Sequence, residues 1–296
     1  MKRFYLLLPL LAIALTGNAQ GSVTMNTAKA VGEELSITTY CTSIDEPVII
    51  DWGDGVEKTY TIDPDGYGYQ QEQTEPIKGQ TIKIKGNLKY LCCNGQQLTS
   101  VVAEGLASMT ELDLSENEIA DIQLGEMPLL ENMDISKNKL TALTLTGMPK
   151  LSGLRLNYNE IDSHQLDISS LSETLTDLNL SHNKLVTLNL MNFSKLKYFY
   201  ASDNPDLTTV VFHDGNTELS LIDMSNCYIM HFYAINLPNL TQLMLSNNAL
   251  MEFELGEYPR LSTLGLSDNY LNEVDIAKYT TLTDFSCANN QLTSLN

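Results

Sequence analysis

Several things are scarce in this sequence, and each scarcity removes a class of function. Basic residues come first: 17 lysines and arginines stand against 37 aspartates and glutamates, for a net charge of −20. A field of that sign repels nucleic acid and anionic lipid and favours cationic partners or metal ions, or serves solubility alone. The charges alternate with apolar residues rather than running in blocks, which excludes a disordered acidic tail. Long apolar runs are also missing. The best candidate, Phe4–Leu15, is shorter than the ~20 residues of a membrane-spanning helix. Catalytic constellations are equally thin. His164, His182, His213 and His231 are widely separated, and no G-x-S-x-G, H-E-x-x-H or phosphate-binding glycine loop occurs. Asp177 with His182 makes a base pair with no nucleophile beside it. A hydrolase is therefore disfavoured, and no cofactor or metal is called for.

The first nineteen residues fit a leader. Met1-Lys2-Arg3, the apolar run and Gly17-Asn18-Ala19 before Gln20 make a secretory signal peptide over residues 1–19. No cysteine follows the run, so a lipid anchor there is unsupported. The expected location is outside the cytoplasm, in the periplasm, on the outer surface or released.

What is abundant is a repeat. Met109–Leu130 reads MTELDLSENEIADIQLGEMPLL, and its first half recurs as LENMDISKNKL from Leu130, LSGLRLNYNEI from Leu151 and LTDLNLSHNKL from Leu175. LTQLMLSNNAL from Leu240 and LSTLGLSDNYL from Leu261 follow the same rule. Looser copies begin at Leu88, Leu196, Leu219 and Leu282, giving ten copies, mostly 21 residues apart. The string is a leucine-rich repeat. Its L-x-x-L-x-L portion alternates with period two and makes one short strand. Stacked copies give a parallel sheet with ~4.8 Å between strands. The second halves, such as Leu140/Leu143/Leu145, space their leucines by three and two, which suits extended or turn-like backbone. The expected fold is mainly β: a solenoid of about ten coils over residues 88–296 with almost no α-helix. The short copies, with Leu-Thr-x-Leu after the asparagine, resemble bacterial internalin-type leucine-rich repeats over that whole span.

Residues 20–87 lack the repeat. Glu34–Cys41, Pro47–Trp52, Val56–Ile62 and Thr81–Lys85 carry β-type residues between turns such as Asp54-Gly55 and Lys78-Gly79. They read as a small β-sandwich that caps the solenoid at its N-terminal end. Asp51-Trp52-Gly53-Asp54-Gly55 resembles the W-G-D-G signature of polycystic-kidney-disease-type sandwich domains. Asp51, Asp54, Asp63 and Asp65 are either calcium ligands or turn-formers bonded to their own backbone.

One column of the repeat is asparagine: Asn117, Asn138, Asn159, Asn183, Asn204, Asn248, Asn269 and Asn290, with Gln96 and Cys227 as departures. A buried amide both donates and accepts, so this column is expected to tie neighbouring coils together rather than to bind a ligand. Five cysteines leave at least one unpaired. Cys93 and Cys287 occupy leucine positions; Cys41 and Cys92 could meet where the two regions join, and the sequence leaves open whether they pair.

The candidate binding face follows from the free third and fifth positions of each strand, which point outward. Early coils show Glu111, Asp113, Asn132 and Asp134, and late ones Thr263, Gly265, Asp284 and Ser286. The middle coils gather Arg155, Asp177, Tyr198, Tyr200, Asp223 and Met244, with Tyr158, His182 and Asp203 at strand ends. Tyr, Arg and Met are enriched in binding hot spots, although strands favour Tyr in any case. The expected function is non-enzymatic recognition of a protein, peptide or glycan. A structural or adhesive envelope protein without a specific ligand is the alternative. Two copies are longer, around Asp162–Gln165 with Glu173 and around Pro205-Asp206 with Asp214–Asn216, and such insertions go into loops. The final copy stops at Asn296 with an open strand edge, from which weak self-association is expected.

Overall fold

The computed structural model describes residues 21–41, 46–61, 71–233, 236–253 and 256–295. The expected leader at 1–19, and Asp63 and Asp65, lie outside these. In each copy the fourth and sixth residues turn inward, because alternate residues of an extended chain share a face. Leu112 and Leu114, Leu154 and Leu156, and Leu178 and Leu180 are all buried. The third to fifth residues form a short strand, from Glu111–Asp113 to Asp284–Ser286. These strands pair in parallel and in register, with Glu111 opposite Asn132, Asn132 opposite Gly153, Gly153 opposite Asp177 and Asp177 opposite Tyr198. The result is the mainly β solenoid that the spacing predicts. Among the described residues the only helical segments are two 3-10 turns, Ser163–Gln165 and Ser169–Leu171. Both belong to the first long copy.

The strands before the repeats are β1 (Gly21–Thr27), β2 (Glu34–Cys41), β3 (Val48–Asp51), β4 (Glu57–Tyr60), β5 (Gln71–Pro76) and β6 (Thr81–Gly86). The first copy contributes β7 (Leu88–Cys92) and β8 (Leu98–Glu104). β2 pairs antiparallel with β7, and β5 lies outside β2, so these two extend the concave sheet to twelve strands. On the opposite layer β1 pairs antiparallel with both β6 and β8, and β8 pairs in parallel with Asp121–Leu124. Both layers therefore run from residues 21–86 into the repeats by backbone hydrogen bonds, which leaves no unpaired strand edge between them. One apolar core continues from Met25, Ile37 and Trp52 to Leu271 and Val274.

Each ladder asparagine fastens its own coil to the one before. Asn117 Oδ1 accepts from the N–H groups of Gln96 at 2.8 Å and Leu98 at 3.0 Å, while its Nδ2 donates to the carbonyls of Cys93 and Leu114. Asn159 accepts from Leu140 N and donates to Ile135 O and Leu156 O. The two departures have separate structural causes. Gln96 Oε1 accepts from Ser36 N of β2 at 3.0 Å, a reach across to the preceding strands, while its Nε2 donates to Asn94 O within its own coil at 2.8 Å. At Cys227 the donor that an asparagine would need is already used, since Leu207 N donates to Asn204 O at 2.9 Å across the Pro205-Asp206 insertion. A thiol, which donates weakly to Ala201 O at 3.3 Å, is sufficient there.

The register answers the question of whether Cys41 and Cys92 pair: they do not. Both lie on the paired strands β2 and β7, but Cys41 opposes Leu88 and Cys92 opposes Thr38. Three residues of offset amount to ~10 Å along a strand, beyond the ~7 Å that a disulfide spans between Cα atoms. Both thiols are free.

Candidate binding face

Ten stacked strands set two outward rows on the concave sheet. The third-position row runs Tyr90, Glu111, Asn132, Gly153, Asp177, Tyr198, Leu221, Gln242, Thr263 and Asp284. The fifth-position row runs beside it and contains Arg155, Tyr200, Asp223 and Met244. Arg155 is the one cation of the two rows. The strands that carry Arg155 through Met244 are consecutive, so these residues share a strip ~19 Å long.

The two rows differ in what the fold asks of them. Fifth-position acids close the turn that follows the strand. Asp113, Asp134 and Asp223 each accept, through Oδ1, the backbone N–H two residues on, from Ser115, Ser136 and Ser225. One oxygen of Asp223 is thus committed to an Asx turn. Third-position residues carry no such duty. Burial pushes the Asp177 carboxyl above its ordinary range, and the Arg155 charge offsets part of that rise. Tyr200 is pushed up as well, by burial first and then by the negative field of Asp177 and Asp223. Asp177, Arg155, Tyr198, Tyr200 and Asp223 stand on four adjacent strands and form one cluster.

The three strand-end residues occupy a special backbone position. The eighth residue of every copy has positive φ: Gly95 in the first, then Glu116, Lys137, Tyr158, His182, Asp203, Asn226, Asn247, Asp268 and Asn289. Asn, Asp and His tolerate this left-handed region better than other side chains. Tyr158, at φ 57°, is the aromatic exception. Its ring stacks on His182 with centroids 3.9 Å apart, and His182 Nε2 lies 3.3 Å from Asp203 Oδ2. Asn226 Nδ2 then donates to Asp203 and Asn247 Nδ2 to Asn226. His182 thus contacts Asp203 along the rim, away from any pairing with Asp177.

A concave part of the face lies nearer the N-terminal end than the middle-coil clustering. A concavity of about 210 Å³ is lined by Tyr90, Glu111, Asp134, Gly153, Arg155 and Asp177, among others. Gly153 opens its floor: a Cβ there would stand 2.5 Å from Asn132 Oδ1. Of the expected set only Arg155 and Asp177 line it. Tyr90 and Gly153 were missed, although Tyr90 holds the third position of the loose first copy and is readable there. The two long copies place their extra residues away from these rows. Asn216, in the second, is fully buried and donates to Leu190 O and Phe193 O.

The acidic turn of the N-terminal region is internally bonded. Asp51 Oδ1 accepts from Gly53 N and Gly55 N, and Asp54 pairs with Lys78 at 2.6 Å, which holds the Asp54 carboxyl below its ordinary range. Trp52 is buried and its Nε1 donates to Tyr60 Oη at 2.8 Å.

A parallel sheet of stacked copies, a buried asparagine column and almost no helix define a leucine-rich-repeat solenoid. Among solved structures, the functional domain of InlJ from Listeria monocytogenes, which includes a cysteine ladder, is similar. It aligns with a TM-score of 0.63 and 25% identity over 75% of this chain and 49% of that one. The chain thus spans about half the length of that relative. YopM from Yersinia enterocolitica WA-314 aligns over 70% of this chain and 75% of that one at 16% identity, with a TM-score of 0.25. No protein-family model and no curated protein matches the sequence. Among the described residues no helix is long and apolar enough to cross a membrane.

Proposed function

We propose that this chain is a non-enzymatic recognition module that works outside the cytoplasm and binds a protein or peptide on its concave face. The observation that carries the reading is the exposure of Tyr158 and Tyr198 on either side of the half-buried Asp177 and beside Arg155. Outward positions are free to be small and polar, as Thr263 and Ser286 are, so large amphipathic rings there serve contact rather than packing. Tyr158 in addition keeps a backbone conformation that six other copies give to His, Asp or Asn, and retained strain of this kind gathers at binding sites. The surplus of carboxylates over the single Arg155 favours a basic partner over an acidic one. Residues 20–87 serve as the cap, and the leader-like residues 1–19 support export.

The test is a peptide and glycan array read for saturable binding, repeated with a Tyr198→Ala/Tyr200→Ala double variant. A peptide that binds the parent at least about tenfold more tightly than the variant supports the reading. Binding to glycans alone shifts the partner class. Retention that is only salt-sensitive and never saturates favours the adhesive alternative.

A further inference from the structure

The side of the solenoid carries a second surface. Where the chain leaves the asparagine column, the tenth and twelfth residues of the regular copies lie on the outer side while the eleventh is buried, as Ile229, Leu250 and Leu271 are; the Pro205-Asp206 insertion shifts this by one, so that Leu207 is the buried residue there. In the first half of the molecule the tenth column is a ladder of charge, with Lys139 paired to Glu118 at 2.7 Å and Lys184 to Glu160 at 2.6 Å. In copies seven to nine the same column reads Tyr228, Ala249, Tyr270, and the twelfth column supplies Met230 and Met251. Tyr228 is 49% exposed, Tyr270 52% and Met251 59%, whereas Ala249 between the tyrosines is 5% exposed. The earlier copies show that the fold is content with paired ions at these sites. An apolar strip there is not needed for folding, and exposed apolar patches of this kind mark interaction sites.

The strip runs into a groove of about 450 Å³ that holds Met251, Phe253 and Val274 and is edged by Glu252, Glu273 and Asp275. None of these three carboxylates has an ion-pair partner among the described residues. We propose that this lateral strip is a second docking surface for a partner protein segment. That segment would lay an apolar or aromatic side chain against the exposed Tyr228, Tyr270 and Met251 and would bring lysine or arginine against the acidic edge. Charge selects this occupant. A second copy of the chain would set −20 against −20, and anionic lipid meets the same repulsion.

The experiment uses fluorescence anisotropy with the full chain and short labelled peptides. One peptide has a central tryptophan flanked by lysines, one replaces the lysines with glutamates, and one replaces the tryptophan with alanine. The lysine-flanked tryptophan peptide is expected to bind, and a Tyr228→Ser/Tyr270→Ser variant to weaken it about tenfold. Glu252→Gln/Glu273→Gln should weaken it and flatten its salt dependence. The Tyr198→Ala/Tyr200→Ala variant should leave it unchanged, which separates this surface from the concave one. Equal binding of the glutamate or alanine peptide overturns the proposal, as does loss of binding in the concave variant, or no binding by any peptide. It is also overturned if the Tyr228→Ser/Tyr270→Ser change abolishes self-association in sedimentation, or binding to phosphatidylserine vesicles, instead.

Discussion

Restoring the repeat's own residue at Cys227 should weaken the protein. In a regular copy the asparagine oxygen has a donor waiting, as Asn248 Oδ1 does in Ile229 N at 2.9 Å. At Cys227 the equivalent donor, Leu207 N, is already bonded to Asn204 O at 2.9 Å. The thiol, pushed up to about 12 by burial, stays protonated and donates to Ala201 O at 3.3 Å. In Cys227→Asn the new amide gains a better donor to that carbonyl, a net ~0.5–1 kcal/mol, but buries an oxygen with no donor, at ~1–3 kcal/mol. The balance is a loss of about 1 kcal/mol, or roughly 1–2 °C in melting temperature for a chain of this size. Urea and thermal denaturation of the parent and variant measure it. A raised midpoint would mean that consensus alone governs the column and would refute the reasoning from Leu207.

Three further outcomes are expected. Asn159→Ala strands the buried Leu140 N–H and takes one of two donors from the carbonyl of Ile135, which keeps the Asn138 amide, so it should cost ~1–3 kcal/mol; an unchanged denaturation midpoint would remove Asn159 from the structural ladder. Tyr158→Asn relieves a tyrosine at φ 57°, so it should gain up to ~1 kcal/mol of stability while weakening concave-face binding, and a variant that is both less stable and binding-competent would count against stored strain. Asp177→Asn should stabilise the chain at neutral pH. The Asp177 pKa is raised by burial, so the folded state prefers the protonated form and the ionised carboxylate opposes folding. That opposition fades as pH falls through the raised value, so the gap between variant and parent in urea midpoints should close in acid, and a gap independent of pH would contradict the assignment.

How much of this was legible beforehand depends on whether the determining contacts are local. The β2 and β6 strands were visible because Glu34–Cys41 and Thr81–Lys85 alternate. β5, Gln71–Pro76, was not, because as an edge strand it presents polar residues on most positions. The candidate face was half legible. Arg155, Asp177, Tyr198 and Tyr200 stand where the free positions of the repeat put them, yet the concavity at Gly153 depends on a missing side chain and on the neighbour that leans into it.

The sequence by itself determined the solenoid, its outward rows and its asparagine column, because a period of mostly 21 residues imposes the same burial pattern on successive coils and a coil inside the stack packs against its two neighbours. Tertiary structure alone decided the exceptions. Gln96 reaches Ser36 across 60 residues of chain, Cys227 answers to a donor lost at an insertion, and Cys41 misses Cys92 by a strand register. These depend on which groups are already satisfied by distant backbone, and no local pattern records that.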